Sequence, residues 1–211
     1  MPDTLQQQWP LGQNPSISFP LPQTMKALTI HRDLYGQPAE VIHLEDVPVP
    51  MLQPEDANCV LVAILASGPN FNTNFAAMGL PVPPFGRGDS ATIHIPGSDA
   101  LGIIVDAGSA VKDLRVGMPV ILDSWTDSTL IRGYETHDGF NAQFAVVDQV
   151  RAIPVPKKLS RQTPEQLAAM FCCLTPISRG TPLFGSRSGT KTRCFRALPA
   201  YQNSDRAYAM R

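Results

Sequence analysis

Two short stretches carry side chains whose types and spacing could do chemistry. One is Gly-Tyr-Glu-Thr-His-Asp-Gly, residues 133–139, which sets an aromatic (Tyr134), a carboxylate (Glu135) and an imidazole (His137) on a glycine-bounded turn. The other is Ala-Ser-Gly-Pro-Asn-Phe-Asn-Thr-Asn-Phe, residues 66–75, with Asn70, Asn72 and Asn74 inside five positions. Carboxylates and imidazoles accept and pass protons, and carboxamides offer neutral donors and acceptors. Both stretches also have a plain reading. Asparagine is at home in loops, and the turn could be a solvated hairpin. The turn, however, feeds the run Phe-Asn-Ala-Gln-Phe-Ala-Val-Val, in which Phe140, Ala142, Phe144 and Val146 alternate with Asn141, Gln143 and Ala145. That period of two predicts a strand, so the polar groups would stand at the mouth of a buried element.

The elements that would position these groups are short and β-rich. Met25–His31, Cys59–Ser67, Leu101–Ala107, Pro119–Asp123 and the 140–147 run are apolar segments. Tyr35-Gly36-Gln37-Pro38, Pro48-Val49-Pro50, Asp106-Ala107-Gly108-Ser109 and Val116-Gly117-Met118-Pro119 punctuate them. Such spacing predicts a mainly β, partly open barrel. The 21 prolines point the same way, because proline is excluded from helix interiors. One short helix is expected at Thr73–Met78. In Ile93–Val105 an Ile-Pro-Gly turn leads through Asp99 into a strand where Gly102 would admit a close backbone; a side-chain-bonded turn at Asp99 explains the polar pair equally well.

The flanks differ from this body. Residues 1–24 are rich in Gln, Pro, Ser and Asn and have no sustained period, so they read as a disordered extension. The body is expected over 25–160. Ser160 or Thr163 could cap a helix continuing through Leu167, Met170, Phe171 and Leu174, over about 161–176. Residues 177–211 carry about +6 against about −7 for the rest, so the overall charge of −1 hides two opposed segments. The tail shows no aromatic interleaving or amphipathic period, which argues against nucleic acid. No apolar run approaches the ~20 residues of a membrane span, and no secretory leader pattern opens the chain; a cytoplasmic protein is expected. Of four cysteines, adjacent Cys172-Cys173 and distant Cys194 lack zinc spacing, and Cys59 reads as a small buried hydrophobe rather than half of a disulfide.

Taken in order, M-K-A-L-T-I-H-R-D-L-Y-G-Q-P, N-F-N-T, H-I-P-G-S-D-A, K-D-L-R-V-G-M-P-V and G-Y-E-T-H-D-G resemble the GroES-like catalytic domain of the medium-chain dehydrogenase/reductase superfamily. Within it they are most similar to the crotonyl-CoA carboxylase/reductase family. The resemblance runs from about Met25 to about Thr175, some seven tenths of the chain. It implies hydride delivery from NADPH to the β-carbon of an α,β-unsaturated acyl-CoA, followed by protonation or carboxylation of the enolate. Matched by position, it implies that Asn72 and the pair Tyr134-Glu135 are the catalytic, CO2-holding groups, with Asn70, Phe71 and His137 binding substrate. CO2 is uncharged, so neutral donors and an ordered water suit it. Phe71 stands where the family usually has tyrosine and so lacks its phenol; Pro69 replaces a usual valine. At the zinc-ligand places of other members stand Asn70 and Gly97-Ser98-Asp99, so no zinc is expected.

The resemblance stops where a Rossmann domain would begin. Gly185-Ser186-Arg187-Ser188-Gly189 is the one dense Gly/Ser stretch there, and no apolar strand precedes it, so no NADPH site is expected in this chain. A truncated or frame-shifted gene would account for that change. The chain then reads as a catalytic-domain fragment, inactive alone. The alternatives are a non-catalytic remnant or interaction module that associates through an uncovered apolar cleft face, and a polyanion binder acting through the basic tail.

Overall fold

The computed structural model describes residues 20–159, apart from 69, 82, 86–89 and 127–129, together with residues 162, 166 and 167. Eight strands and two short helices follow in order: β1 (Thr24–His31), α1 (Pro38–Val41), β2 (His43–Pro48), β3 (Cys59–Ser67), α2 (Asn72–Ala77), β4 (Ile93–His94), β5 (Ala100–Ala107), β6 (Pro119–Leu122), β7 (Phe144–Asp148) and β8 (Ala152–Pro154). They form a three-stranded sheet, β2-β1-β4, and a five-stranded sheet, β7-β3-β5-β6-β8. Every pairing between named strands is antiparallel.

Alternation decides what lies between the sheets. Leu61 and Ala63 of β3 face one core cluster with Met25, Ala27, Val47, Ile93, Ile95 and Phe144. Val60 and Val62 face the other, with Ile104, Val120, Leu122, Ala145 and Val147. The central strands β3 and β5 are thus buried on both faces, which is why they read as continuous apolar runs. At Gly102 a Cβ would collide with the carbonyl oxygen of Ala63 and with Val62. The β3–β5 register shifts between Leu61 and Val62 and again between Ile64 and Ala66. Such bulges bend a strand and increase its twist, which suits a sheet curled into part of a barrel. The two sheets are stitched by Leu28 N to Asn141 O at 2.8 Å and Gln143 N to Lys26 O at 3.0 Å.

That stitch corrects the reading of 140–147 as one strand. Only Phe144–Asp148 pairs with β3. Residues 139–143 spend most of their backbone groups on Ile95, Pro96, Gly97, Lys26 and Leu28 instead, and Gln143 O makes the handover by accepting from Ile64 N of β3 at 2.8 Å. The parity of the side chains slips across the break, so Phe140 packs with Ala145 and Val147, while Ala142, Phe144 and Val146 share the other core cluster. The expected helix at Thr73–Met78 occurs as α2, one residue earlier. Leu21 packs against the core and Gln23 O accepts from Val49 N, so residues 20–24 take part in the body. Leu167 is fully buried against Leu101 and Ile121; Met170, Phe171, Leu174 and the basic tail lie outside the described residues. Cys59 is buried as expected, but it stands as a disulfide-bonded cysteine, contrary to the free-thiol reading. No helix among the described residues is long and apolar enough to cross a membrane.

Candidate functional site

The Asn-rich loop leaves the end of β3 and turns at once into α2. Its first anchor is Gly68 N, which donates to Asp99 O at 2.8 Å. Its second is the Asn70 carboxamide. Oδ1 accepts from Asn72 N at 2.9 Å, so the amide nitrogen must be the group that donates to Ser98 Oγ at 2.7 Å and to Asp99 Oδ2. Every strong group of the Asn70 side chain is therefore engaged inside the protein. The sequence reading put Asn70 against substrate; the structure pairs its side chain with Ser98, Asp99 and the Asn72 backbone. Asp99 is buried (6% exposed), and burial pushes its carboxyl upward, opposed by the Asn70 hydrogen bond and reinforced by Asp123. Asp123 is in turn paired with Arg151 at 3.0 Å.

Above this anchor α2 carries aromatic rings toward the second stretch. Phe71, 65% exposed, meets Phe75 edge-on at 5.0 Å between centroids, and Phe75 meets Tyr134 at 6.4 Å. The Asn loop and the 133–139 turn are therefore neighbours. The turn is tightly determined. Gly133 has φ +68°, and a Cβ there would collide with the carbonyl oxygen of Gly97, so only glycine lets these two loops approach. Arg132 donates to Asp138 O at 2.7 Å, to Asp138 Oδ2 at 2.6 Å and to Val146 O at 2.8 Å, and lies 5.0 Å from the Phe140 ring centre. Ile95 N to His137 O and Gly139 N to Ile95 O close the turn onto the strand before it.

Glu135 folds back within this turn. Its Oε2 accepts from Ile131 N at 2.8 Å and its own N donates to Ile131 O at 2.7 Å. One carboxylate oxygen is thus committed locally, and no hydrogen bond joins Glu135 to Asn72 among the described residues. Tyr134 is half-buried beside Phe75, whereas His137 is buried and stacks on Phe85 at 5.9 Å with ring planes 13° apart. The Arg32 guanidinium lies 4.8 Å from that same Phe85 ring, and His94 meets it edge-on at 6.4 Å. His94 Nε2 is 3.1 Å from Gly133 O, and its Nδ1 is buried without a partner. Burial, ahead of the His137 charge, drives the His94 imidazole down to about 4, although the Gly133 and Asp138 oxygens pull the other way. The structure thus brings Asn70, Phe71, Asn72 and Tyr134 into one neighbourhood, while His137 of the same turn packs separately against Phe85.

Sequence reasoning missed the role of Ser98 and Asp99 as the acceptors that hold Asn70, and missed Phe75 and Phe85 as the rings against which Tyr134 and His137 rest. The available signal for the first was a polar pair placed immediately before the apolar run Ala100–Val105. Among the described residues no group of three or more His, Cys, Asp or Glu is placed to hold a metal ion. The described residues also do not fit a nicotinamide dinucleotide. The two α-helices have four and six residues, and no strand–glycine loop–helix unit presents backbone amides to a pyrophosphate.

Residues 56–157 match the alcohol dehydrogenase GroES-like domain of the medium-chain dehydrogenase/reductase superfamily. The chain's relatives are crotonyl-CoA carboxylase/reductases: the protein of that name from Cereibacter sphaeroides is 34% identical over 166 residues, covering 71% of this chain and 37% of that protein. A solved structure of crotonyl-CoA carboxylase/reductase AntE in complex with NADP is 33% identical with a TM-score of 0.58, covering 71% of this chain and 41% of that one. The 2-octenoyl-CoA carboxylase reductase CinF, in complex with NADP and 2-octenoyl-CoA, is 28% identical with a TM-score of 0.55 over 65% of this chain and 38% of that one. The chain spans 37–40% of the length of the curated relatives it matches.

Proposed function

We propose that the described body is the substrate side of a zinc-independent, NADPH-dependent reductase of α,β-unsaturated acyl-CoA thioesters. The observation that carries this reading is the contact between the Asn70–Phe75 loop and the Tyr134 turn, since these two segments hold the residues that the resemblance assigns to the thioester and CO2. In this reading the Asn72 carboxamide and the unengaged Glu135 oxygen supply polar contacts at the cleft, and Tyr134 with Phe71 supplies its aromatic wall. His137 packs inward on Phe85 from the same turn that carries Tyr134, and Asn70 acts by fixing the backbone from which Asn72 projects. NADPH would supply hydride to the β-carbon. The described residues offer it no seat, so the reading assigns them substrate binding and orientation alone.

The test is calorimetric titration of the chain with butyryl-CoA, then with NADPH, followed by NADPH oxidation with crotonyl-CoA. Saturable butyryl-CoA binding without NADPH oxidation is the expected result. Failure to bind any acyl-CoA at near-millimolar concentration would overturn the reading. A second reading, association through an uncovered cleft face, is favoured by exposed Phe71, Trp125 and Leu130 on the loops around β6 and α2. Sedimentation that shows self-association abolished by Phe71→Ser would support it.

A further inference from the structure

The Asn70–Asp99 contact spans 29 residues of sequence and joins the loop to the mouth of β5. Asp99 is buried, and its backbone carbonyl holds Gly68 while its carboxylate, with Ser98 Oγ, holds the Asn70 amide nitrogen. The Asn70 carbonyl then holds Asn72 N, the first residue of α2. Helix α2 has no other side-chain cap: Phe71 stands at its N-cap position and has no group to supply. A six-residue helix has little intrinsic stability; buried Ala76 and Ala77 and the Gly36 N bond to Ala77 O hold its last turn, and this relay holds its first.

We propose that Asp99 is a positioning residue for Asn72: its carboxylate locks the Asn70 side chain, and Asn70 sets the first turn of α2 that presents Asn72 and Phe71 to the cleft. The proposal deepens the reading of the cleft as an acyl-CoA site and rests on it only for the affinity arm of its test. The relay has a polarity: a carboxylate accepts, a carboxamide donates, and the other carboxamide atom accepts again. Asn70→Asp places two carboxylates face to face and breaks the first link. Combining it with Asp99→Asn restores a donor, now on residue 99, and leaves a carboxylate oxygen at residue 70 to receive Asn72 N. Asp99→Asn alone is mild, because the new carboxamide can turn its oxygen to Asn70.

The experiment is amide hydrogen exchange by NMR on the full chain, with butyryl-CoA titration alongside. In N70D, exchange at Asn72 N should quicken about tenfold or more, the scale of a lost charge-assisted hydrogen bond. In N70D/D99N it should return to within about threefold of the parent. Amides of Val62 and Ile104 in the core should stay protected in both, which separates local release from unfolding. If N70D does not fold, a folded N70D/D99N with slow Asn72 exchange is itself the rescue that is expected. Exchange at Asn72 that is unchanged in N70D, or that the second substitution fails to restore, would overturn the proposal. Butyryl-CoA affinity should fall and recover with exchange. A parent chain that binds no acyl-CoA would sink the functional reading, while the exchange data would still judge the relay.

Discussion

His94 is fully buried, with Nε2 donating to Gly133 O and Nδ1 facing no acceptor. Protonating it would place a charge where nothing receives the second N–H, and burial accordingly lowers its value from 6.5 to about 4. The sign follows from proton counting. Between those two values the unfolded chain binds the proton and the folded chain does not, so stability is fully present above about pH 6.5 and is lost as pH falls toward about 4. Going from about pH 7 to about pH 5, this group alone should cost on the order of 2 kcal/mol. His94→Gln keeps a donor for Gly133 O but cannot titrate. It should lower stability at neutral pH through imperfect packing, yet flatten the pH dependence by that amount. Urea unfolding of both proteins at the two pH values measures the difference. Equal pH slopes in parent and variant would refute the reasoning, since the other histidines and carboxylates are common to both.

Three further outcomes follow from the same geometry. Arg132→Met should destabilise by about 3–5 kcal/mol, because Arg132 and Asp138 are 11% and 12% exposed and the carboxylate loses its counter-ion while keeping only the Thr136 hydroxyl; R132M/D138N should recover part of the loss in urea melts, whereas an effect below about 1 kcal/mol would mark the pair as solvent-screened. Gly102→Ala should cost about 1–3 kcal/mol or prevent folding, since its Cβ would meet the backbone of β3, and circular dichroism with thermal melting reads this directly. Burial alone would raise the Glu45 carboxyl, but hydrogen bonds from Thr29 and His31 and the nearby His43 outweigh it and leave it below 4.5. Its contribution should therefore be present above about pH 4.5 and fade as pH falls below that, and Glu45→Gln should remove this acid-limb dependence in pH-jump unfolding.

Much of the barrel was legible because burial on both faces writes itself as uninterrupted apolar runs, as in β3 and β5, or as alternation, as in β1. Three strands were not legible. β2 (His-Leu-Glu-Asp-Val-Pro) has a largely exposed surface, with Leu44 67% exposed and Val47 buried, so no period announces it. β4 and β8 have two and three residues, too few for any period. Phe140 was misassigned because the hydrophobic alternation runs straight through a point where the backbone changes partners, and composition carries no mark of that exchange. The two chemistry-bearing stretches were visible from residue types and from family resemblance. The grip of Ser98 and Asp99 on Asn70 was not, because a contact across 28 and 29 residues depends on how β3 and β5 pair. Likewise the inward turn of His137 depends on Phe85, which no local pattern links to it.

In the proposed reading the Asn70–Phe75 loop and the Ile131–Asp138 turn form one acyl-CoA cleft. The most direct test is to titrate isotope-labelled chain with butyryl-CoA and follow its amide resonances. The largest shifts should fall together on Asn72, Phe75, Tyr134 and Glu135, with β2 and β8 unmoved. Binding that shifts only residues elsewhere on the barrel, or shifts one of the two segments without the other, would contradict it.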